Sequence, residues 1–165
     1  MSAISASQVK ELREKTGLGL MDCKKALEEA NGDIDLAIEE LRKTSGIKAS
    51  KKSGRSAADG LIGITNKDKD FFMIEVNCET DFVARDESYI NFTKETLDIY
   101  SNNPAYSLEQ LLESGVEDNR ETLVQKLGEN IVVRRLAKSD ESSINGSYLH
   151  SNNKIGCIVS LEGGD

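Results

Sequence analysis

The amino-acid sequence predicts an α+β fold, in which a three-helix bundle precedes a small antiparallel sheet packed with helices. Apolar residues recur at helical spacing through about the first 45 residues, as in short helices that pack together. Beyond residue 59, short β-branched runs alternate with polar turn residues, which is typical of antiparallel strands. Helical spacing returns between these runs, so the later strands and helices are expected to share one domain, with the helices on one side of the sheet.

Capping signals delimit three short helices within residues 1–45. Ser5, with Gln8 three residues later, has the pattern of a capping box that begins the first helix. The second helix is predicted to begin near Leu20, and Asp33 is a suitable N-cap for the third. The resulting bundle resembles a ubiquitin-associated (UBA-like) module in its size and pattern.

Residues 46–58 are expected to form a basic linker. Between Leu41 and Ala58 the sequence has six basic residues and no acidic ones, namely Arg42, Lys43, Lys48, Lys51, Lys52 and Arg55. The simpler interpretation is a solvated helix end followed by a linker. The sequence leaves open a contact with an acidic partner surface or RNA, which charge reversal would reveal as a salt-dependent change in affinity.

Residues 59–152 are predicted to form the N-terminal subdomain of an α+β core, and residues 153–165 the start of a truncated second subdomain. The predicted strands are Leu61 to Ile64, Phe71 to Val76, Ile131 to Leu136, Ile144 to Leu149 and Ile155 to Leu161. Helices are predicted around Tyr89 to Tyr100, Leu108 to Leu112 and Leu123 to Leu127. Because the sequence stops soon after the last strand, we expect a fragment with an incomplete second layer.

The overall composition argues against several classes of protein. A net charge of −8 and a pI near 4.8 disfavour a mainly nucleic-acid-binding protein, so no DNA binding is expected. No apolar run approaches the roughly 20 residues that span a bilayer, so no membrane partner is expected. The three cysteines are widely spaced and lack a CxxC pattern, which favours a reducing, cytoplasmic location.

Residues that could carry catalysis are sparse. Cys78 and His150, the single histidine, could in principle form a nucleophile–base pair, but no glycine elbow or orienting residue accompanies them. One histidine and scattered cysteines do not supply a metal site. The sequence Gly17-Leu-Gly19 is too short for a phosphate-binding loop. We therefore expect a binding protein that is not an enzyme, with no cofactor, no metal and no directly bound nucleotide.

The stretch from Glu75 to Arg85 is the most distinctive part of the sequence. A strand-like apolar run ends in polar residues, and the bulky Phe82 directly follows Asp81 at the expected start of a turn or helix. Such an aromatic is either an anchor at the helix entry or a probe directed outside the chain. We interpret Phe82 as an outward-facing probe.

Two segments resemble the signatures of the elongation factor Ts family, the guanine nucleotide exchange factors for elongation factor Tu. They are Thr16–Leu27 (TGLGLMDCKKAL), in which Leu18 and Leu20 are minor departures, and Glu75–Arg85 (EVNCETDFVAR). Shorter motifs stand in the family's order along essentially the whole chain, at residues 57–60, 128–130, 134–135, 146–148 and 150. Full members of the family continue into a second core subdomain, of which we expect this sequence to contain only the start.

This resemblance implies a guanine nucleotide exchange factor that binds elongation factor Tu–GDP and promotes GDP release during translation elongation. Asp81 and Phe82, supported by Thr80 and Val83, would insert near the partner's switch region and Mg²⁺ site. The UBA-like module would contact the partner's nucleotide-binding domain, and the further contacts would be made by Lys24, Leu127, Gly128, Glu129 and His150.

Each of these residues also has a simpler explanation. Lys24 could be a solvated lysine, Phe82 a helix staple, Leu127 a core residue before a C-cap glycine, and His150 an ordinary loop histidine. Two other functions stay open at this point. The chain could be a non-catalytic adaptor that acts through its UBA-like bundle, or a fragment that binds elongation factor Tu without efficient exchange.

Overall fold

The computed structural model describes residues 4–140 and 144–163, and it confirms the predicted α+β class. The helices are α1 (Ala6–Thr16), α2 (Leu20–Glu29), α3 (Ile34–Lys52), α4 (Asp81–Ala84), α5 (Glu87–Asn102), α6 (Leu108–Leu111) and α7 (Glu117–Leu127). The strands are β1 (Asp59–Lys67), β2 (Asp70–Cys78), β3 (Val132–Lys138), β4 (Ile144–Leu149) and β5 (Gly156–Leu161). Each helix in these ranges is too short or too polar to cross a membrane.

The chain divides into two compact units. The helical unit consists of the residues up to Gly54 together with Asp118–Glu129, so it contains α1, α2, α3 and nearly all of α7. The sheet unit consists of Arg55–Glu117 and of the chain from Asn130 onward. The predicted domain boundaries were continuous in sequence, whereas each of these units combines two separate segments.

The helical unit begins as the capping signals predict. Ser5 and Gln8 form a complete capping box at α1, and the Asp33 carboxylate accepts the backbone N–H groups of Asp35 and Leu36 at the start of α3. Side chains from all three N-terminal helices, and Leu18 from the link between α1 and α2, are buried together, as in a UBA-like bundle. The buried helical residues include Leu12, Cys23, Leu27, Ala37 and Leu41.

Helix α3 is longer than the sequence predicts. It continues through Lys52, so the first seven residues of the expected linker 46–58 are helical. Ser45 is buried, and its hydroxyl oxygen lies within hydrogen-bond distance of the Leu41 carbonyl (2.9 Å) and of Gln125 Oε1 of α7 (2.6 Å). A Cβ atom at Gly46 would lie 2.9 Å from the Glu121 carboxylate, so glycine permits this close approach. Packing against α7 therefore stabilises turns of α3 that lie within the expected linker.

Most of the basic stretch is paired within the chain. Five of its six basic residues contact an acceptor within their own unit, which leaves less positive charge for a partner and favours the interpretation as a helix end. The contacts are Arg42 with Asp118, Lys43 with Glu40 (2.8 Å), Lys48 with Asp22 (3.3 Å), Lys52 with the Gly128 carbonyl (2.7 Å) and Arg55 with Glu79 (3.5 Å).

The sheet unit contains a three-stranded antiparallel sheet in the order β1-β2-β3. Alternate residues of β2 (Phe72, Ile74 and Val76) are buried, which is the period-two pattern of a strand with one face on a core. Helix α5 packs against β1 and β2. Phe72 and Tyr100 of α5 meet edge to face, with ring centroids 5.5 Å apart. The expected helix on one side of the sheet is thus present.

Strands β4 and β5 form a separate two-stranded sheet in the same unit. The predicted subdomain boundary after residue 152 falls inside the turn of this hairpin. The face that carries Ile144, Tyr148, Val159 and Leu161 is exposed. The opposite face packs towards β1, where a Cβ atom at Gly156 would lie only 3.0 Å from Ile62 Cγ2. Gly156 therefore allows the hairpin to lie close to the three-stranded sheet.

A candidate partner-binding surface around Phe82

Helix α4 is a single turn, separated from the end of β2 by two residues. Thr80 is its N-cap, and its side-chain oxygen accepts the Val83 N–H at 3.4 Å. Val83 and Ala84 are buried, whereas Phe82 between Asp81 and Val83 is 82% exposed. A hydrophobic staple would be covered by its partner side chain. The structure therefore rules out the staple and directs the Phe82 ring into solvent.

Asp81 lies beside Phe82 on the first turn of α4. Its carboxylate contacts the Arg85 guanidinium at 2.9 Å, and these two side chains are 43% and 80% exposed. An ion pair this exposed contributes little to stability and exchanges readily with other partners. Asp81 therefore remains available to a polar or charged group that approaches Phe82.

The residues beneath α4 are buried and hydrogen-bonded. The Tyr89 hydroxyl donates to the Val76 carbonyl at 2.6 Å, and the Cys78 thiol donates to the Thr80 carbonyl at 3.2 Å. Burial raises the pKa of Tyr89 far above its ordinary value, so the phenol stays a donor. Cys78 is fully buried, and its thiol acts as a local hydrogen-bond donor. This geometry does not support Cys78 as an exposed nucleophile.

His150 lies in the sheet unit at the end of β4. Its Nδ1 is 2.7 Å from the Tyr148 hydroxyl, and its backbone N–H donates to the Ile155 carbonyl. The turn that follows is attached to β1 by two contacts. The Ile62 N–H donates to the Asn153 carbonyl at 2.7 Å, and Lys154 Nζ lies 2.8 Å from the Asp59 carboxylate. His150 is therefore an exposed side chain on a well-anchored turn.

Replacing Asp59 with Asn is expected to lower the free energy of unfolding near neutral pH by less than about 1 kcal/mol, because the pair with Lys154 is partly exposed. Hydrogen bonds from Lys154 and from the Gly60 N–H hold the pKa of Asp59 below 3.8. The contribution is thus fully present above pH 3.8 and is lost as the pH falls through the lowered pKa of the folded state. Urea unfolding of the Asp59→Asn variant and of the unsubstituted chain at several pH values measures this contribution. A difference in unfolding free energy that persists unchanged in strong acid would contradict the prediction.

The remaining predicted contact residues belong to the helical unit. Lys24 is exposed on α2 and lies 3.7 Å from Glu28. Leu127 ends α7 and is partly buried, and Gly128 follows it with φ of 82°, as in a left-handed helix cap. Glu129 is partly buried. The structure thus brings Thr80–Val83 and His150 into one unit, and Lys24 and residues 127–129 into the other.

Sequence reasoning missed several residues around these positions. Leu20 and Met21, next to Lys24 in sequence, are 55% and 71% exposed, and the quoted motif contained them without assigning them a role. Tyr148 was not paired with His150, which lies just beyond the end of β4 and contacts the Tyr148 hydroxyl at 2.7 Å. Within residues 4–140 and 144–163, no three His, Cys, Asp or Glu side chains come together as a metal site.

Comparisons with known proteins agree with the signatures in the sequence. The family described as "Elongation factor TS" matches residues 79–165. Elongation factor Ts of Marinobacter nauticus is 52% identical over 167 residues, which cover all of this chain and 57% of that protein. Elongation factor Ts of Hahella chejuensis is also 52% identical over 167 residues, which cover 100% of this chain and 58% of that protein. Elongation factor Ts of Salmonella agona is 50% identical over 165 residues, which cover 100% of this chain and 57% of that protein.

The chain spans less than three fifths of the length of these relatives. The similarity nevertheless covers both signature segments, including Thr80–Val83. A match to more than half of the chain and high identity along all of it lead to one conclusion. This chain belongs to the elongation factor Ts family.

Proposed function

We propose that this chain binds elongation factor Tu–GDP in the cytoplasm and promotes GDP release during translation elongation. Phe82 and Asp81 insert beside the partner's switch region and disturb its Mg²⁺ site. The observation that carries this proposal is the 82% exposure of Phe82 on a turn whose neighbouring residues Val83 and Ala84 are buried. An aromatic ring held outward on an anchored turn is the kind of side chain that commonly forms the centre of a protein–protein interface.

The proposed mechanism needs no covalent chemistry from this chain. A GTPase holds GDP through backbone donors, a lysine and a Mg²⁺ that offsets the phosphate charge. An exchange factor weakens those contacts while it binds the protein itself. By linkage, GDP must weaken the binding of the factor by the same ratio. Asp81 and Phe82 therefore act as binding groups and not as a catalytic acid or base.

The energy available from Phe82 limits its share of the effect. Burying one phenylalanine side chain contributes roughly 1.5–3 kcal/mol, which corresponds to about one to two decades in an equilibrium constant. A larger weakening of GDP binding requires further contacts. We assign these to Lys24, Leu127, Gly128, Glu129 and His150, with Thr80 and Val83 holding the turn.

Stopped-flow release of labelled GDP from elongation factor Tu tests the proposal. We expect this chain to accelerate release, and an elongation factor Ts of full length, measured beside it, to accelerate release further. Raising the GDP concentration should weaken binding of the chain, as linkage requires. A release rate that stays at its spontaneous value at saturating chain would overturn the proposal.

One observation favours a second function, that of an adaptor that binds a partner through the helical unit. Leu20 and Met21 form an exposed apolar pair beside Lys24 at the start of α2. An adaptor of this kind would lose its partner when Met21 is replaced by Ser, and would be indifferent to Phe82→Ala. It would also leave the rate of GDP release unchanged, so the stopped-flow experiment separates the two functions.

A further inference from the structure

Glu79 lies between the end of β2 and the N-cap of α4, and its carboxylate connects three segments of the sheet unit. Glu79 Oε1 accepts the backbone N–H of Asn130 at 2.7 Å and lies 3.5 Å from the Arg55 guanidinium. The Asn130 side chain in turn donates to the Arg55 carbonyl at 2.9 Å. Arg55 precedes β1 and Asn130 precedes β3, so this network, the Glu79 cluster, joins the ends of all three strands.

The Glu79 cluster holds the three segments together just beyond the last backbone pairs of the sheet. The last paired residues of β2 are Cys78, opposite Asp59 of β1, and Asn77, opposite Val132 of β3. Beyond them the chain turns away into α4. The hydrogen bond from the Asn130 N–H to the Glu79 carboxylate continues the link between β2 and β3 past the last backbone pair. This added link is made by a side chain. A charge-assisted bond of this kind is stronger than a neutral one.

Burial distinguishes Glu79 from its neighbour Asp81. The Glu79 side chain is 23% exposed. Asn130, whose backbone N–H donates to it, is 2% exposed. The Asp81 side chain is 43% exposed and pairs with the Arg85 guanidinium, which is 80% exposed. Glu79 is therefore bonded within the chain itself, whereas Phe82, three residues later, is exposed to solvent.

We propose that Glu79 is a positioning residue for Phe82, which rests on the proposed function of the Phe82 turn. By fixing the last residue before Thr80 to Asn130, Glu79 sets the direction in which α4 leaves the sheet. Loss of this bond lets the turn sample other directions. The fraction of molecules in which Phe82 is oriented for binding then falls. A bond to a charged group corresponds to roughly a tenfold change in such a fraction.

The test compares Glu79→Ala with Glu79→Gln, because Gln keeps an oxygen that can accept the Asn130 N–H. In the chain alone, Glu79→Ala should speed amide hydrogen exchange at Asn130 and at Ala84, which closes α4 on the Thr80 carbonyl, by roughly tenfold or more. Glu79→Gln should restore most of the protection. Glu95→Ala, at an exposed site on α5, is the matched control and should leave both amides unchanged.

In the GDP-release assay, Glu79→Ala should lower the maximal rate roughly tenfold with little change in the half-saturating concentration, and Glu79→Gln should recover it. Unchanged exchange at Ala84 in Glu79→Ala would overturn the positioning role, as would a Gln variant as impaired as the Ala variant. If the unsubstituted chain itself fails to accelerate release, the proposed function falls, while the amide measurements still decide whether Glu79 holds the turn.

Discussion

Phe82→Ala is expected to reduce the acceleration of GDP release from elongation factor Tu by roughly 10- to 100-fold. The substitution removes the ring that we propose to be buried in the complex, and one such ring contributes about one to two decades of affinity change. The free chain should be almost unaffected, because the ring is 82% exposed before binding. Its free energy of unfolding should change by no more than about 0.5 kcal/mol.

Two measurements separate this outcome from a general loss of binding or folding. Ile47→Ala removes another exposed apolar side chain, on α3, and should leave GDP release within about twofold of the unsubstituted chain. Urea unfolding of Phe82→Ala should coincide with that of the unsubstituted chain. A Phe82→Ala variant that releases GDP at the original rate would show that the ring is not the group that perturbs the nucleotide site.

The features that were predicted correctly depend on neighbours in sequence. The capping box of Ser5 and Gln8, the Asp33 cap and the alternation of buried residues along β2 are all set within a few residues. The local sequence left two interpretations of Phe82 open, a helix-entry anchor and an outward-facing probe, and the 82% exposure of its side chain agrees with the second. Family similarity assigned a role to this residue, and the structure gave its exposure.

The features that were missed depend on residues far apart in sequence. Helix α3 extends because Ser45 and Gly46 meet residues of α7, and Ser45 and Gln125 are separated by 80 positions. The basic residue Lys52 finds its acceptor 76 positions away, at Gly128. Glu79 and Asn130 are 51 positions apart. No local periodicity or capping rule encodes such contacts, so these long-range partners could not be predicted from the sequence.

The second large effect is expected at Gly60, which lies in β1 opposite Asn77. Gly60 has φ of 148°, a conformation that residues with a side chain rarely adopt. A Cβ atom there would lie 2.2 Å from the Val76 carbonyl oxygen and 2.7 Å from Asn77 Cα. Both atoms belong to the backbone of β2, so a side chain cannot simply rotate out of the way.

Gly60→Ala should therefore lower the free energy of unfolding by roughly 2–5 kcal/mol, the sum of backbone strain and overpacking. The clash also displaces the part of β2 that leads into Glu79 and Thr80. We expect the variant to accelerate GDP release less than the unsubstituted chain does, even at temperatures where it stays folded, because the base of the Phe82 turn moves. Urea unfolding followed by far-UV circular dichroism measures the stability, and stopped-flow release measures the second effect.

The matched control is Gly146→Ala in β4, where a new Cβ atom would have no neighbour within 4 Å. This variant should be neutral or slightly more stable, by less than about 1 kcal/mol, because alanine restricts the unfolded chain more than glycine does. Equal unfolding midpoints for the two variants would mean that β2 can move away from β1 at little cost. In that case the end of β2 would not be rigid enough to direct Phe82, and Glu79 would have to position the turn without support from the β1-β2 ladder.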